Sequence, residues 1–146
     1  MIALIQRVSE ARIIVGDEVV AAIARGVLAL IGVRRGDDDA AIARLLERLL
    51  SYRIFPDSEG RMNLSVRDVA GGLLLVPQFT LAADTKKGTR AGFSTAAEPG
   101  EARRLFAQLV ESAKATYPPV SAGVFGAHMK VALVNDGPVT FWLETP

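Results

Sequence analysis

A single α/β domain, with two main helices packed on a mixed or antiparallel β-sheet, is predicted by three features of the chain. Short apolar runs rich in β-branched residues recur from the N-terminus and are separated by glycine and proline. Only two segments carry apolar residues at helical spacing. The 146 residues are 50 % hydrophobic and 23 % charged, which suits one compact core without staples. No repeat or linker divides residues 1–146, so one domain is expected.

Residues 2–8 are apolar and β-branched enough for a strand. Ala11 to Val15 and Val19 to Ala24 read as a hairpin across Gly16-Asp17, where glycine supplies the positive φ of a tight turn. Val27 to Val33 reads as a strand buried on both faces, which makes the first third a β-meander. Asp37-Asp38-Asp39 supplies an N-cap and favourable first-turn charge to a helix striped by Ile42, Leu45, Leu46, Leu49 and Leu50. Further strands are expected at Leu73 to Val76, Lys130 to Asn135 and Val139 to Leu143. Residues 84–100 lack periodicity and read as a long surface loop. Pro99 can open a second helix, where its missing N–H costs nothing, with Leu105, Phe106, Leu109, Val110 and Ala113 as its apolar stripe. Pro118-Pro119 ends it. Strands broken by only two helices are incompatible with an alternating doubly wound fold.

The composition removes whole classes of chemistry. There is no cysteine and one histidine, His128, so disulfides, thiolate chemistry and zinc-thiolate sites are excluded and a catalytic zinc is not expected. No G-x-S-x-G elbow, phosphate-binding P-loop or G-x-G-x-x-G turn is present. A lone histidine is usually structural or solvated. Asp57, Glu59, Asp68, Asp84 and Asp136 all lie near turns, where a capping role is the ordinary one. A net charge of +1 neither demands nor excludes a nucleic-acid partner, so a polyanion site must be a local patch. Val19 to Val33 is too short for a membrane span and contains Arg25, and the N-terminus lacks the pattern of a secretory signal. A cytoplasmic setting is expected, with no membrane partner and no cofactor.

Two backbone corners stand out, Pro77-Gln78-Phe79-Thr80-Leu81 and Asn135-Asp136-Gly137-Pro138-Val139-Thr140, each at the end of an apolar run. An enzyme built on them would work by positioning and main-chain hydrogen bonds on an activated substrate such as an ester. Together with Leu4-Ile5-Gln6-Arg7-Val8, Arg53-Ile54-Phe55 and Met62-Asn63-Leu64-Ser65-Val66, these blocks resemble, in order and across the whole chain, the D-aminoacyl-tRNA deacylase family. The resemblance implies a barrel-like sheet, a homodimer, and hydrolysis of the ester joining a D-amino acid to the terminal adenosine of tRNA.

The same resemblance assigns roles. It places a cis Gly137-Pro138 bond in the partner subunit's pocket, as a rigid gauge that rejects L-aminoacyl esters, with Arg7 supporting the corner across the dimer. Gln78, Phe79 and Thr80 become the catalytic floor. No histidine, lysine or amine in that motif can activate Thr80, so its hydroxyl is read as orienting rather than attacking, with the ribose 2′-OH helping to activate water or relay a proton. Phe79 has an ordinary alternative as core. Phe125 and Met129 resemble the adenine pocket, an aromatic face and a thioether suited to a purine, although such a pair also serves simple packing. Lys86, Lys87 and Arg90 lie where acceptor-stem phosphates would pass. Glycine has no side chain for a chiral gauge to reject, so mischarged glycyl-tRNA is a further expected substrate.

Two departures from the family pattern are Pro77, where most members carry serine, and Ala91, where many carry proline. Three other readings stand beside the main one: a relative with a trans proline that edits L-alanyl-tRNA, a non-catalytic tRNA-binding dimer, and a structural dimer whose Gly-Pro corner is an interface element.

Overall fold

The computed structural model describes residues 1–146 as one curled sheet with two helices on its outer face. β1 (Ile2–Val15) is its spine. β2 (Glu18–Ile23) pairs antiparallel with the second half of β1, and β3 (Gly26–Gly32) with the first half. β2 and β3 therefore form one bent return strand, and the expected meander is corrected to an order of β2-β1-β3. The bend is possible because Gly26 crosses Gly72 so closely that a Cβ on Gly26 would fall within 1.9 Å of the Gly72 carbonyl oxygen.

α1 (Asp39–Ser51) follows, with Asp38 as its N-cap. The Asp38 carboxylate accepts from the Ala41 amide at 3.0 Å, occupying one of the N–H groups that the first turn leaves free. A short hairpin, β4 (Phe55–Pro56) and β5 (Met62–Leu64), leads to β6 (Gly72–Pro77), which lies parallel to β3. α2 (Pro99–Thr116) starts on Pro99 and ends before Pro118-Pro119. β7 (Val120–Ala122) lies parallel to β6, and β8 (Lys130–Glu144) pairs antiparallel with β1 along nearly its whole length. The sheet is therefore mixed, and β2 approaches β7 so that the curl nearly closes.

Strand alternation divides the core. Val27, Ala29, Ile31, Leu73 and Leu75 face the helices and join Leu45, Leu49, Leu105 and Leu109 in the larger cluster. Leu28, Leu74 and Val76 point the other way and meet Val8, Ala11 and Ile13 inside the curl. Neighbouring residues of β3 and β6 are both buried, which is why these strands read as continuous apolar runs. Truncating Leu74 to alanine would cost about 2–5 kcal/mol. No helix is long and apolar enough to cross a membrane.

Pro77 closes β6 at the edge shared with β7. Leu73 N–H donates toward the β7 side, to the Pro119 carbonyl, and Gln78 N–H donates to Ile31 on β3. Residue 77 has the parity of Leu73, so its N–H would face the β7 side, where Gly123 N–H donates to the Leu75 carbonyl at 2.8 Å and a Cβ on Gly123 would lie 3.4 Å from Pro77 Cδ. Lacking that donor, Pro77 ends the β6–β7 ladder at this point.

Candidate functional site

At the C-terminal end of β6 the chain turns into a single 3-10 turn, Phe79–Ala82, closed by Leu81 N–H on the Gln78 carbonyl at 3.2 Å. The turn lies directly on the end of β3, and a Cβ on Gly32 would come within 2.9 Å of the Leu81 Cβ. Gln78 Nε2 donates to Thr80 Oγ1 at 2.6 Å. The opening N–H groups of such a turn, those of Phe79 and Thr80, have no partner within it.

This turn forms the floor of a cavity of about 760 Å³. The other walls are Phe93 and Ala96–Ala97, the start of α2 at Pro99 and Ala102, and the segment Phe125–Met129. Phe79 is 51 % exposed, so it is a wall residue and not core. Its ring packs on Phe93 with centroids 4.8 Å apart. Met129 Sδ accepts from Val124 N–H at 3.4 Å, and Phe125 rests on Phe106 with ring centroids 6.4 Å apart. Four residue types thus converge on the pocket: an amide, a hydroxyl, aromatic rings and a thioether. The cavity brings the consecutive Gln78, Phe79 and Thr80 together with Phe125 and Met129 from a distant part of the chain.

Two polar cavity residues, His128 and Glu98, are not assigned to the site by the sequence. Both are exposed on the cavity wall. Glu98 occupies the N-cap of α2 without capping it, and its carboxylate instead meets Arg35 at 3.5 Å. Neither residue has a local sequence signal, because only the packing of distant segments brings it to the wall.

The second corner lies elsewhere. Gln6 pairs with Thr140 and Val8 with Asn135, so residues 136–139 bulge out opposite Arg7 alone. Asn135 clasps the bulge: its Oδ1 accepts from Val139 N–H at 2.7 Å and its Nδ2 donates to Thr140 Oγ1 at 3.0 Å. Arg7 braces it from the sheet, with Nε donating to the Asp136 carbonyl and Nη1 to the Ile54 carbonyl, each at 2.8 Å. These contacts are made within one chain. The Gly137-Pro138 bond is cis, and both residues are exposed and outside the cavity wall of their own chain.

Lys86, Lys87 and Arg90 are exposed on a loop pinched by paired main-chain bonds between Asp84 and Gly92, of 2.8 and 2.9 Å. None lines the cavity. The wider 84–100 segment is a surface loop as expected, pinned by Ala97 N–H on the Val33 carbonyl and Thr95 Oγ1 on the Ala82 carbonyl.

The fold and sequence have clear counterparts. A D-aminoacyl-tRNA deacylase of Thioalkalivibrio sulfidiphilus is 66 % identical over 146 residues, covering 100 % of this chain and 98 % of the relative. One from Vibrio cholerae is 61 % identical over 144 residues, 99 % of each chain. Among solved structures, one described as c-Myc DNA unwinding element binding protein superposes with TM-score 0.96 at 36 % identity, covering 100 % of this chain and 99 % of that one. A probable eukaryotic D-amino acid tRNA deacylase shares the fold at TM-score 0.85 and 17 % identity, covering 99 % and 98 %. The family model described as D-Tyr-tRNA(Tyr) deacylase matches residues 4–144, and the chain belongs to that family.

Proposed function

We propose that this protein hydrolyses the ester of D-aminoacyl-tRNA, and of glycyl-tRNA mischarged on a non-glycine tRNA, as a homodimer in the cytoplasm. The observation that carries the reading is the cavity itself. Its volume, about 760 Å³, suits a nucleoside ester. One end offers Phe125 and Met129 to a purine, and the floor offers the free N–H groups of Phe79 and Thr80 to an oxyanion.

In this reading water adds to the ester carbon, the bond to the ribose oxygen breaks, and that oxygen takes the proton that the water gives up. Main-chain donors held on a 3-10 turn need no reorganisation as the carbonyl gains charge, and one such donor contributes about 2.7–4 kcal/mol. Thr80, tethered by Gln78, orients the reacting group and forms no acyl intermediate. The ribose 2′-OH assists the proton transfer.

The exposed Gly137-Pro138 corner of one subunit enters the partner's cavity and excludes the side chain of an L-amino acid. The position of the corner, outside its own chain's cavity wall, supports action in trans. Glycine passes because it presents no side chain to either hand. Lys86, Lys87 and Arg90 meet acceptor-stem phosphates.

The test is deacylation of matched substrates. Purified protein releases D-tyrosine from D-Tyr-tRNA far faster than L-tyrosine from L-Tyr-tRNA; equal rates, or no release, would overturn the proposal.

A further inference from the structure

Two arginines follow one another on α2, and their surroundings differ sharply. Arg104 is engaged on its own helix: Nε and Nη2 donate to the Glu101 carboxylate at 3.0 and 2.7 Å, and Nη1 to Gln108 at 3.3 Å. Arg103 has no such partner. The positions three and four residues away on the helix are Pro99, Gly100, Phe106 and Ala107, none of which offers a side-chain acceptor. Its guanidinium lies over the Phe125 ring, 4.8 Å from the centroid.

That placement sets Arg103 behind residues of the cavity wall, although Arg103 itself does not line it. Phe125 and Gly126 are cavity wall residues, as is Ala102, the helical neighbour of Arg103. Gly126 has φ +80°, and a Cβ there would come within 3.2 Å of Arg103 Nη2, so the bare turn leaves room for the guanidinium. A guanidinium over an aromatic ring is attracted by the ring's negative face and still carries N–H donors that the ring cannot satisfy. Arg103 is thus a fixed cation with free donors beside a wall offered to a purine. The chemistry that matches it is a phosphodiester oxygen, which takes a planar fork of donors well.

We infer that Arg103 is a positioning residue that holds the phosphate joining the terminal adenosine to the preceding nucleotide of the RNA. The inference rests on the proposed function. It places a phosphate anchor on α2, on an element separate from the Lys86–Arg90 loop.

The test compares ligands with and without that phosphate. A short RNA ending in CCA and free adenosine are titrated against wild type, Arg103→Ala and Arg103→Lys, and deacylation of D-Tyr-tRNA is compared with that of 3′-O-D-tyrosyl-adenosine. Arg103→Ala weakens RNA binding roughly three- to tenfold and lowers its salt slope by about 0.7. It raises KM for D-Tyr-tRNA by the same factor with kcat retained. Adenosine binding and turnover of the adenosine ester do not change, and Arg103→Lys restores the salt slope. Equal losses on both ligands would show that Arg103 merely props the Phe125 turn, and unchanged RNA binding would remove it from the interface; either overturns the inference. If wild type binds the RNA in this Arg103-dependent way but releases no D-tyrosine, the proposed function fails while the phosphate contact stands.

Discussion

Gln78 Nε2 donates to Thr80 Oγ1 at 2.6 Å. The threonine oxygen is therefore an acceptor with its own proton still to give, the reverse of what a nucleophile needs. Replacing Thr80 by alanine is expected to lower kcat about 10- to 100-fold, the worth of one strong hydrogen bond. Serine at 80 restores most of it. Loss of a true nucleophile would cost on the order of a millionfold, and mass spectrometry of the quenched reaction would then find an acyl-enzyme on wild type.

His128 shares the cavity with Thr80 but makes no hydrogen bond to it. His128→Ala is expected to keep kcat within about threefold and to leave the pH–rate profile unaltered, whereas a general base would take about 10²–10⁴ with it. Steady-state deacylation across pH checks this.

Gly137 cannot carry a side chain. Its φ is +149°, and a Cβ would sit 2.7 Å from Val139 Cγ2 and 2.9 Å from the Val139 nitrogen. Gly137→Ala must shift the bulge, and it is expected to abolish selectivity between D- and L-aminoacyl-tRNA. Mixing subunits bearing Gly137→Ala with subunits bearing Thr80→Ala tests where the corner acts. In trans, the site that keeps Thr80 meets the partner's intact corner and the mixed dimer regains selectivity for D- over L-aminoacyl-tRNA; in cis, that site keeps its own altered corner and stays unselective.

Arg7 ties the Asp136 carbonyl to the Ile54 carbonyl, a span that needs the guanidinium fork. Arg7→Lys reaches one of the two and is expected to lower stability by about 1–2 kcal/mol, with a larger loss in D-over-L discrimination than in Tm. Thermal melts run beside the paired deacylation assay measure both.

Asp57 organises the β4–β5 hairpin by accepting from Asn63 Nδ2 at 2.9 Å and from the amides of Glu59 and Arg61. The Asn63 bond first, and then the two amides, hold its carboxyl below the ordinary 3.8. A depressed carboxylate stabilises the fold fully above 3.8 and loses that contribution as pH falls through the lower folded value. Asp57→Asn is therefore less stable than wild type at neutral pH, and chemical denaturation should show the gap closing below pH 3.8.

Helix ends were legible because their causes are local. Asp38 caps α1 through an amide three residues away, and Pro99 opens α2 by what it lacks. The Asn135–Thr140 corner was also visible, since the clasp, the bulge and the glycine lie within six residues. Strand extent was less so. Residues 2–8 and 11–15 read as two strands, yet β1 runs through Ser9 and Glu10. The short β4, β5 and β7 and the 3-10 turn at Phe79 carried too few residues for a periodic signal.

Chain pattern alone thus settled which segments are apolar, where helices begin and stop, and where two backbone corners fall, because each depends on neighbours within a turn or two. Tertiary packing decided that Phe79 is a wall rather than core, that His128 and Glu98 reach the cavity, and that Arg7 braces the bulge of its own chain. It also decided that the bulge stands apart from the cavity. Those outcomes depend on how β1 divides its two edges among β2, β3 and β8. That choice rests on burying both faces of the curled sheet at once, a sum over residues far apart that no local window contains.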